Sequence, residues 1–368
     1  MKHLFLVHSP ITYLTAVSVI NKLNLDKNNA VIIFFEFEKI ASKDNTYEAV
    51  SINEFYPNHF FPKLYYYFRY FNIIGRIDRL IDTVTKKEKY TAYIPTVIWA
   101  GKALITNPKC VSFNFIEEGL AHYFIEETLK SLTQANSKDP WRSSILKNTK
   151  LIINQLYQIL RGYNLRLQAL PFSYSCYHGV NGVLCYGFSD NSFPMINKEK
   201  KIIVGFKKQS FPGVDQKLAF NLDNAVIWIG DGGVTQHGFN EKIYLLGIEN
   251  GCIPFLQQQQ YKKFFIKFHR DEKPGVREAV KNLFSKNDIQ FQVIPDSVIM
   301  EVLLFKADNA TLIGVNSSLL YYAAIMNHSA FSIYNFLKPE YSKVFSDRDF
   351  TFYWNKVRLI ESDSKVLV

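Results

Sequence analysis

The sequence predicts an α/β protein built from two Rossmann-like domains, on three observations. Strand-like and helix-like runs alternate, the pattern of a parallel sheet with crossover helices. Several strand-like runs end in polar or glycine-containing turns, the place where such sheets put ligands. A length of 368 residues exceeds one ordinary core and suits two.

The elements follow in order. Residues 4–7 read as a strand, 12–23 as a helix, 30–35 and 110–116 as strands, and 121–132 as a helix. A second alternating series starts near Lys201. It has strands at 225–229, 264–268, 291–294 and 311–315, and helices at 239–249, 276–284, 298–305 and 317–326. The two series imply a first domain over 1–195 and a second over 196–345. The remainder, 346–368, is expected to carry a helix over 350–360 that packs back on the first domain.

Composition narrows the class. The chain is 48% hydrophobic and 21% charged, with no low-complexity tract, so it should fold. Cys110, Cys176, Cys185 and Cys252 are scattered without a CxxC pair, which argues against a zinc site or disulfide framework and for reduced, cytoplasmic thiols. The opening Met1-Lys2-His3-Leu4-Phe5-Leu6-Val7-His8 is apolar only briefly and reads as a buried first strand instead of a signal peptide. No stretch approaches the roughly 20 apolar residues of a spanning helix. The net charge of +10 leaves nucleic acid, a membrane surface or an anionic small molecule open as partners. No Asp or Glu occurs in 140–189, and 60–89 interleaves Lys and Arg with Tyr and Phe. Either these are helices with a buried aromatic face and a solvated basic one, or they rest on anionic lipid.

Four constellations could carry chemistry. In Phe115-Ile116-Glu117-Glu118-Gly119 a strand delivers adjacent carboxylates to a sheet edge. Their repulsion favours one of them holding a proton and acting as a base, although acids also simply decorate helix N-termini. In Ile266-Lys267-Phe268-His269-Arg270, strand alternation places Lys267 and His269 on one side, as a phosphate clamp or as an ordinary strand end. In Ile313-Gly314-Val315-Asn316-Ser317-Ser318, two hydroxyls stand where a helix begins, as an anion site or as a cap. Gly230-Asp231-Gly232-Gly233 follows a strand without matching GxGxxG; it is either a turn or a close approach to nucleotide.

Taken in order, the acidic pair with glycine, Lys267-Phe268-His269 and Asn316-Ser317-Ser318 resemble bacterial sialyltransferases that modify lipooligosaccharide or build polysialic acid capsules. Val7-His8-Ser9-Pro10 is similar to their first strand and loop. The resemblance implies the GT-B fold, two Rossmann-like domains facing across a cleft, with the CMP-sugar donor on the second. It implies Glu118 as general base, Glu117 as supporting acid and His269 as the group that stabilises the leaving CMP. Ser317 and Ser318, with Asn316 and Lys267, would bind the phosphate, and Glu301, Gly230 and Gly232 would lie against the nucleotide and its ribose. One departure is that Arg270 follows His269 where those enzymes have proline. This points to a related donor sugar, such as pseudaminic or legionaminic acid.

The implied reaction is inverting transfer from a CMP-nonulosonate to a hydroxyl of a capsule or lipooligosaccharide glycan, whose acceptor can be lipid-linked. No metal or other cofactor is expected, because one leaving phosphate and one acceptor proton are all that must be handled. The expected location is cytoplasmic, peripheral on the inner face of the membrane, with no nucleic-acid partner. Two alternatives stand beside this: a GT-B transferase using a UDP-hexose, and a non-catalytic binder of polyanions or membrane.

Overall fold

The computed structural model describes residues 1–35, 47–55, 73–125, 156, 182–206, 220–259, 261–345 and 349–361. It has the expected fold class: two compact units, Met1–Val214 and Asp215–Val368, each organised on a parallel sheet flanked by helices.

In the first unit the strands are β1 (Lys2–Val7), β2 (Ala30–Phe34), β3 (Glu48–Ser51), β4 (Tyr90–Ile94), β5 (Cys110–Ile116), β6 (Cys185–Gly187) and β7 (Lys201–Ile203). They form one sheet in the order β3-β2-β1-β4-β5-β6-β7. β2, Ala-Val-Ile-Ile-Phe, is buried throughout, as a strand covered on both faces must be. Among the described residues its α-helices are α1 (Pro10–Lys22), α2 (Ile73–Val84) and α3 (Trp99–Ile105). α1 starts cleanly because Ser9 and Thr12 cap each other's backbone and Pro10 occupies the first turn, where a missing N–H costs nothing. α2 buries Ile73, Ile74, Ile77, Ile81 and Val84, leaves Arg76 half-buried and exposes Arg79 to solvent. Within the described end of the 60–89 stretch, the pattern is therefore a buried aliphatic face with basic residues off it. The rest of that stretch, and 140–155 and 157–181 of the other, lie outside the described residues.

The second unit carries β8 (Val226–Ile229), β9 (Phe264–Lys267), β10 (Gln292–Val293), β11 (Thr311–Gly314), β12 (Ser329–Ser332) and β13 (Arg358–Leu359), in the order β10-β9-β8-β11-β12-β13. Its helices are α4 (Gly233–His237), α5 (Glu241–Gly247), α6 (Ile253–Gln258), α7 (Pro274–Lys286), α8 (Met300–Lys306), α9 (Ser318–Ile325), α10 (Tyr334–Phe345) and α11 (Thr351–Trp354). A five-residue π-helical turn, Ile248–Cys252, joins α5 to α6. The core on one face of this sheet gathers Trp228, Ile266, Val280, Phe284, Ile313 and Leu337; burying each such side chain is worth about 1.5–3 kcal/mol.

Two expectations about organisation differ from the structure. β7 is the edge strand of the first sheet, so the first unit runs past residue 195 to Val214. The 350–360 segment forms only the short α11, and then β13 pairs with β12 in the second sheet. Phe350, Phe352 and Tyr353 pack near Tyr321 of the same unit or on one another, so the segment is held within the second unit.

In both sheets the strand order reverses beside the first strand, between β1 and β4 and between β8 and β11. Ligands in parallel sheets gather outside the carboxyl ends of the strands at such reversals. The loops there are residues 8–9 and 95–98 in the first unit, and 230–233 and 315–317 in the second.

Candidate functional site

Each unit places a polar cluster at its strand reversal. In the first, the adjacent acids leave β5 with opposite fates. Glu117 is fully buried: Tyr123 Oη donates to its Oε1 at 2.8 Å, and the Phe188 N–H donates to its Oε2 at 2.8 Å. Its backbone carbonyl accepts from Thr15 Oγ1 at 3.1 Å. Glu117 thus ties β5, α1 and the turn after β6 together.

Glu118 stands at the loop, its side chain 13% exposed, with Oε1 3.4 Å from His8 Nε2. Its N–H donates to His122 Nδ1 at 3.1 Å, and Ser9 Oγ donates to its carbonyl at 3.4 Å. His8 follows β1 and His122 lies in a 3₁₀ turn, Leu120–Tyr123, where the sequence suggested the start of a long helix. Residues from 126 on, where that helix was expected to continue, lie outside the described residues. Gly119, with φ 157° and ψ −163°, turns the chain through a region almost reserved for glycine. Burial pushes His8 down to about 4, partly opposed by a bond to its own backbone, and pushes His122 down to about 3. Both rings are therefore neutral near pH 7, which avoids two buried cations beside one carboxylate.

In the second unit the register aligns Gly314, Ile229 and Lys267 on neighbouring strands β11, β8 and β9. The loops after them consequently leave the sheet side by side. His269 and Ser317 follow the outer two strands, which themselves lie about two strand spacings, roughly 10 Å, apart. The glycines of the central loop are there for His269. A Cβ on Gly232 would sit 3.2 Å from His269 Nδ1, and one on Gly230 would sit 3.3 Å from the His269 nitrogen. Gly232 also has φ 71°, where a side chain is strained. These two residues, expected as nucleotide neighbours, pack directly on the histidine.

His269 Nδ1 accepts from the Asp271 N–H at 3.3 Å, so the neutral ring carries its proton on Nε2. Burial lowers its affinity for a second proton, and Asp271 partly restores it. Arg277, in the first turn of α7, fixes this loop from behind. It donates to the carbonyls of His269 (2.9 Å), Arg270 (3.1 Å) and Glu272 (3.0 Å), pairs with Asp296 at 2.9 Å, and lies over the Phe268 ring.

The remaining expected residues divide. Ser317 caps α9, its Oγ accepting from the Leu319 N–H at 3.3 Å, while Ser318 is exposed at the first helical position. Asn316 Oδ1 is buried without a hydrogen-bond partner. Lys267 is engaged elsewhere: its Nζ donates to the carbonyls of Pro295 (2.6 Å) and Val298 (2.9 Å), fastening the connection from β10 to α8. Glu301, in the first turn of α8, shares that neighbourhood; burial raises its pKa and the Lys267 charge partly offsets this. The side chains of Lys267 and Glu301 thus interact beside the connection from β10 to α8.

Sequence reasoning missed three residues. His8 and His122 flank Glu118, and Asp231 is the hub of the second reversal. Asp231 Oδ1 accepts from the Gly233 N–H at 3.1 Å, Tyr341 Oη bonds to Oδ2, and the Asn316 backbone also bonds to it. Burial pushes Asp231 up to about 6. Each of His8 and Asp231 follows the strand at which its sheet reverses, a position that only the pairing of the strands reveals.

No family model matches the chain, and no curated protein does. Among solved structures, it is similar to UDP-GlcNAc 2-epimerase from Neisseria meningitidis, at 13% identity over 90% of this chain and 82% of that one, with a TM-score of 0.48. It is also similar to a sialyltransferase from Photobacterium damsela, at 12% identity over 87% and 71%, TM-score 0.46. A third is a glycosyltransferase from Rickettsia africae, at 10% identity over 90% and 78%, TM-score 0.40.

Proposed function

We propose that the chain is a glycosyltransferase of the GT-B kind that moves a nonulosonic acid from a CMP-activated donor to a hydroxyl of a surface glycan, with inversion. The observation that carries this is the division of labour between Glu117 and Glu118. One acid has both oxygens bonded inside the fold, and its neighbour stands at the mouth of the strand reversal between two neutral histidines.

In this reading Glu118 accepts the proton of the acceptor hydroxyl as its oxygen bonds to the anomeric carbon. The bond from that carbon to the CMP phosphate breaks, and the phosphate oxygen takes the electron pair. His269 offers Nε2–H to this developing charge. Asn316, Ser317 and Ser318, with the first N–H groups of α9, hold the phosphate at a helix N-terminus. Gly230 and Gly232 keep the loop thin enough for His269 to stay in place. Lys267 and Glu301 stand beside the connection from β10 to α8, and we assign neither to the phosphate. His269, Asn316, Ser317 and Ser318 supply the charge stabilisation the step needs, so a metal ion has no task in the scheme, and chelator should leave the rate unchanged. No described helix is long and apolar enough to cross a membrane; association with anionic lipid remains part of the proposal through the basic segments.

Calorimetric titration with CMP and UDP separates this donor from a UDP-hexose. CMP should bind more tightly by at least about tenfold, the scale of one well-placed hydrogen bond to a charged group. Preferential binding of UDP would overturn the donor assignment and leave a hexose transferase.

A further inference from the structure

The contact between His8 and Glu118 has an unusual polarity. His8 has a bond to its own carbonyl, and its Nε2 makes no hydrogen bond; the bond therefore belongs to Nδ1–H. An imidazole protonated on Nδ1 presents a bare lone pair at Nε2. Nε2 lies 3.4 Å from Glu118 Oε1, and two acceptors meet favourably at that distance only with a proton between them. Both side chains are largely withdrawn from solvent, at 18% and 13% exposure. The His8 backbone is itself pinned, its N–H donating to Thr12 Oγ1 at 3.0 Å, so the ring leaves β1 from a fixed base.

We propose that His8 completes a proton relay with Glu118, in which the proton that Glu118 removes from the acceptor hydroxyl passes on to His8 Nε2. The inference rests on the reading of Glu118 as general base. The acceptor O–H bond breaks and its proton goes to the carboxylate, while the oxygen bonds to the anomeric carbon and CMP leaves with the electron pair of the cleaved C–O bond. Glu118 then gives the proton to the Nε2 lone pair and is again a carboxylate. The imidazolium loses its proton to water once the products have gone. His8 acts through Glu118 and is a positioning and relay residue.

The titratable neighbours on the elements packed against the pair are His122 and Glu117. His122 accepts from the Glu118 N–H through Nδ1 and is held neutral by burial. Glu117 has both oxygens bonded to Tyr123 and Phe188. Neither therefore supplies or takes the proton assigned to His8, which burial keeps neutral at rest and whose Nε2 makes no hydrogen bond.

The test uses the full chain with ¹⁵N-labelled histidine. NMR should show His8 as the Nδ1–H tautomer near neutral pH, and Glu118→Gln should lower its protonation midpoint by about one pH unit, the loss of a nearby carboxylate. An Nε2–H tautomer, or a midpoint unmoved by Glu118→Gln, overturns the relay. In the transfer assay His8→Asn should slow turnover about tenfold or more with CMP affinity unchanged, and added imidazole should restore part of the rate to His8→Ala. Full activity in His8→Asn with an inactive Glu118→Gln defeats the relay alone. Full activity in Glu118→Gln defeats the assignment of the base itself.

Discussion

At the scale of single residues, the two acids at the end of β5 show how differently adjacent carboxylates can be used. Glu117→Leu removes both acceptor oxygens and leaves the buried Phe188 N–H and Tyr123 Oη without them. It should cost about 1–3 kcal/mol of stability, the price of an unsatisfied buried donor, seen as a lower midpoint in urea. An unchanged midpoint would contradict the structural task given to Glu117. Asp231 gives a prediction in pH. Its folded pKa of about 6 lies above the ordinary aspartate value of about 3.9, so its contribution is fully present below pH ~4 and is lost as pH rises through ~6. Two pH units correspond to about 3 kcal/mol. Asp231→Asn should therefore gain on the parent as pH rises from 4 to 7 in urea unfolding of the second unit. A parent–variant difference that is the same at both ends would rule this out. Sequence reading found the acidic pair because two adjacent acids before a glycine are visible in one dimension. It could not tell which was structural, because Tyr123 and Phe188 reach Glu117 only after the chain has folded.

At the scale of elements, α9 joins cap and candidate phosphate site in one feature. Ser317 Oγ accepts from the Leu319 N–H and its carbonyl accepts from Tyr353 Oη at 2.9 Å, so the helix start is held from both sides. Ser317→Ala should lower stability by about 1 kcal/mol, the usual cost of a lost cap. If the hydroxyl also donates to a bound phosphate, CMP affinity should fall by a further 1–2 kcal/mol or so. Loss of stability with CMP affinity intact would leave Ser317 a cap only. The strands and helices of the second unit were legible because apolar runs alternate with polar turns: 225–229, 264–268 and 311–315 each match a strand to within a residue or two. The Lys267 expectation relied on strand alternation reaching His269, but β9 ends at Lys267. Beyond a strand end the period of two no longer sets direction, and the ammonium finds the Pro295 and Val298 carbonyls. The expected helix over 350–360 is divided in the structure between α11 and β13.

At the scale of the whole molecule, what the sequence made legible was the doubling of a parallel α/β unit. Where one unit ends was not legible. β7 is three residues long and only half-buried; its short apolar run near Lys201 reads as the start of the second series, and only its pairing with β6 places it in the first sheet. The topological reversal in each sheet was likewise hidden, since strand order depends on which segments pair and not on their sequence. Yet the reversal is what gathers His8 with Glu118 in one unit and the Gly230–Gly233 loop with Asn316 in the other, and it gives the proposed chemistry its two halves. The most direct test of that chemistry is CMP release from a panel of CMP-nonulosonates in the presence of a glycan acceptor. The account predicts acceptor-dependent release by the parent, insensitivity to chelator, and a loss of about 100-fold in Glu118→Gln and in His269→Ala, the latter corresponding to about 3 kcal/mol of charge stabilisation. Release at the parental rate by both variants, or turnover of a UDP-sugar with none of the CMP-sugars, would contradict it.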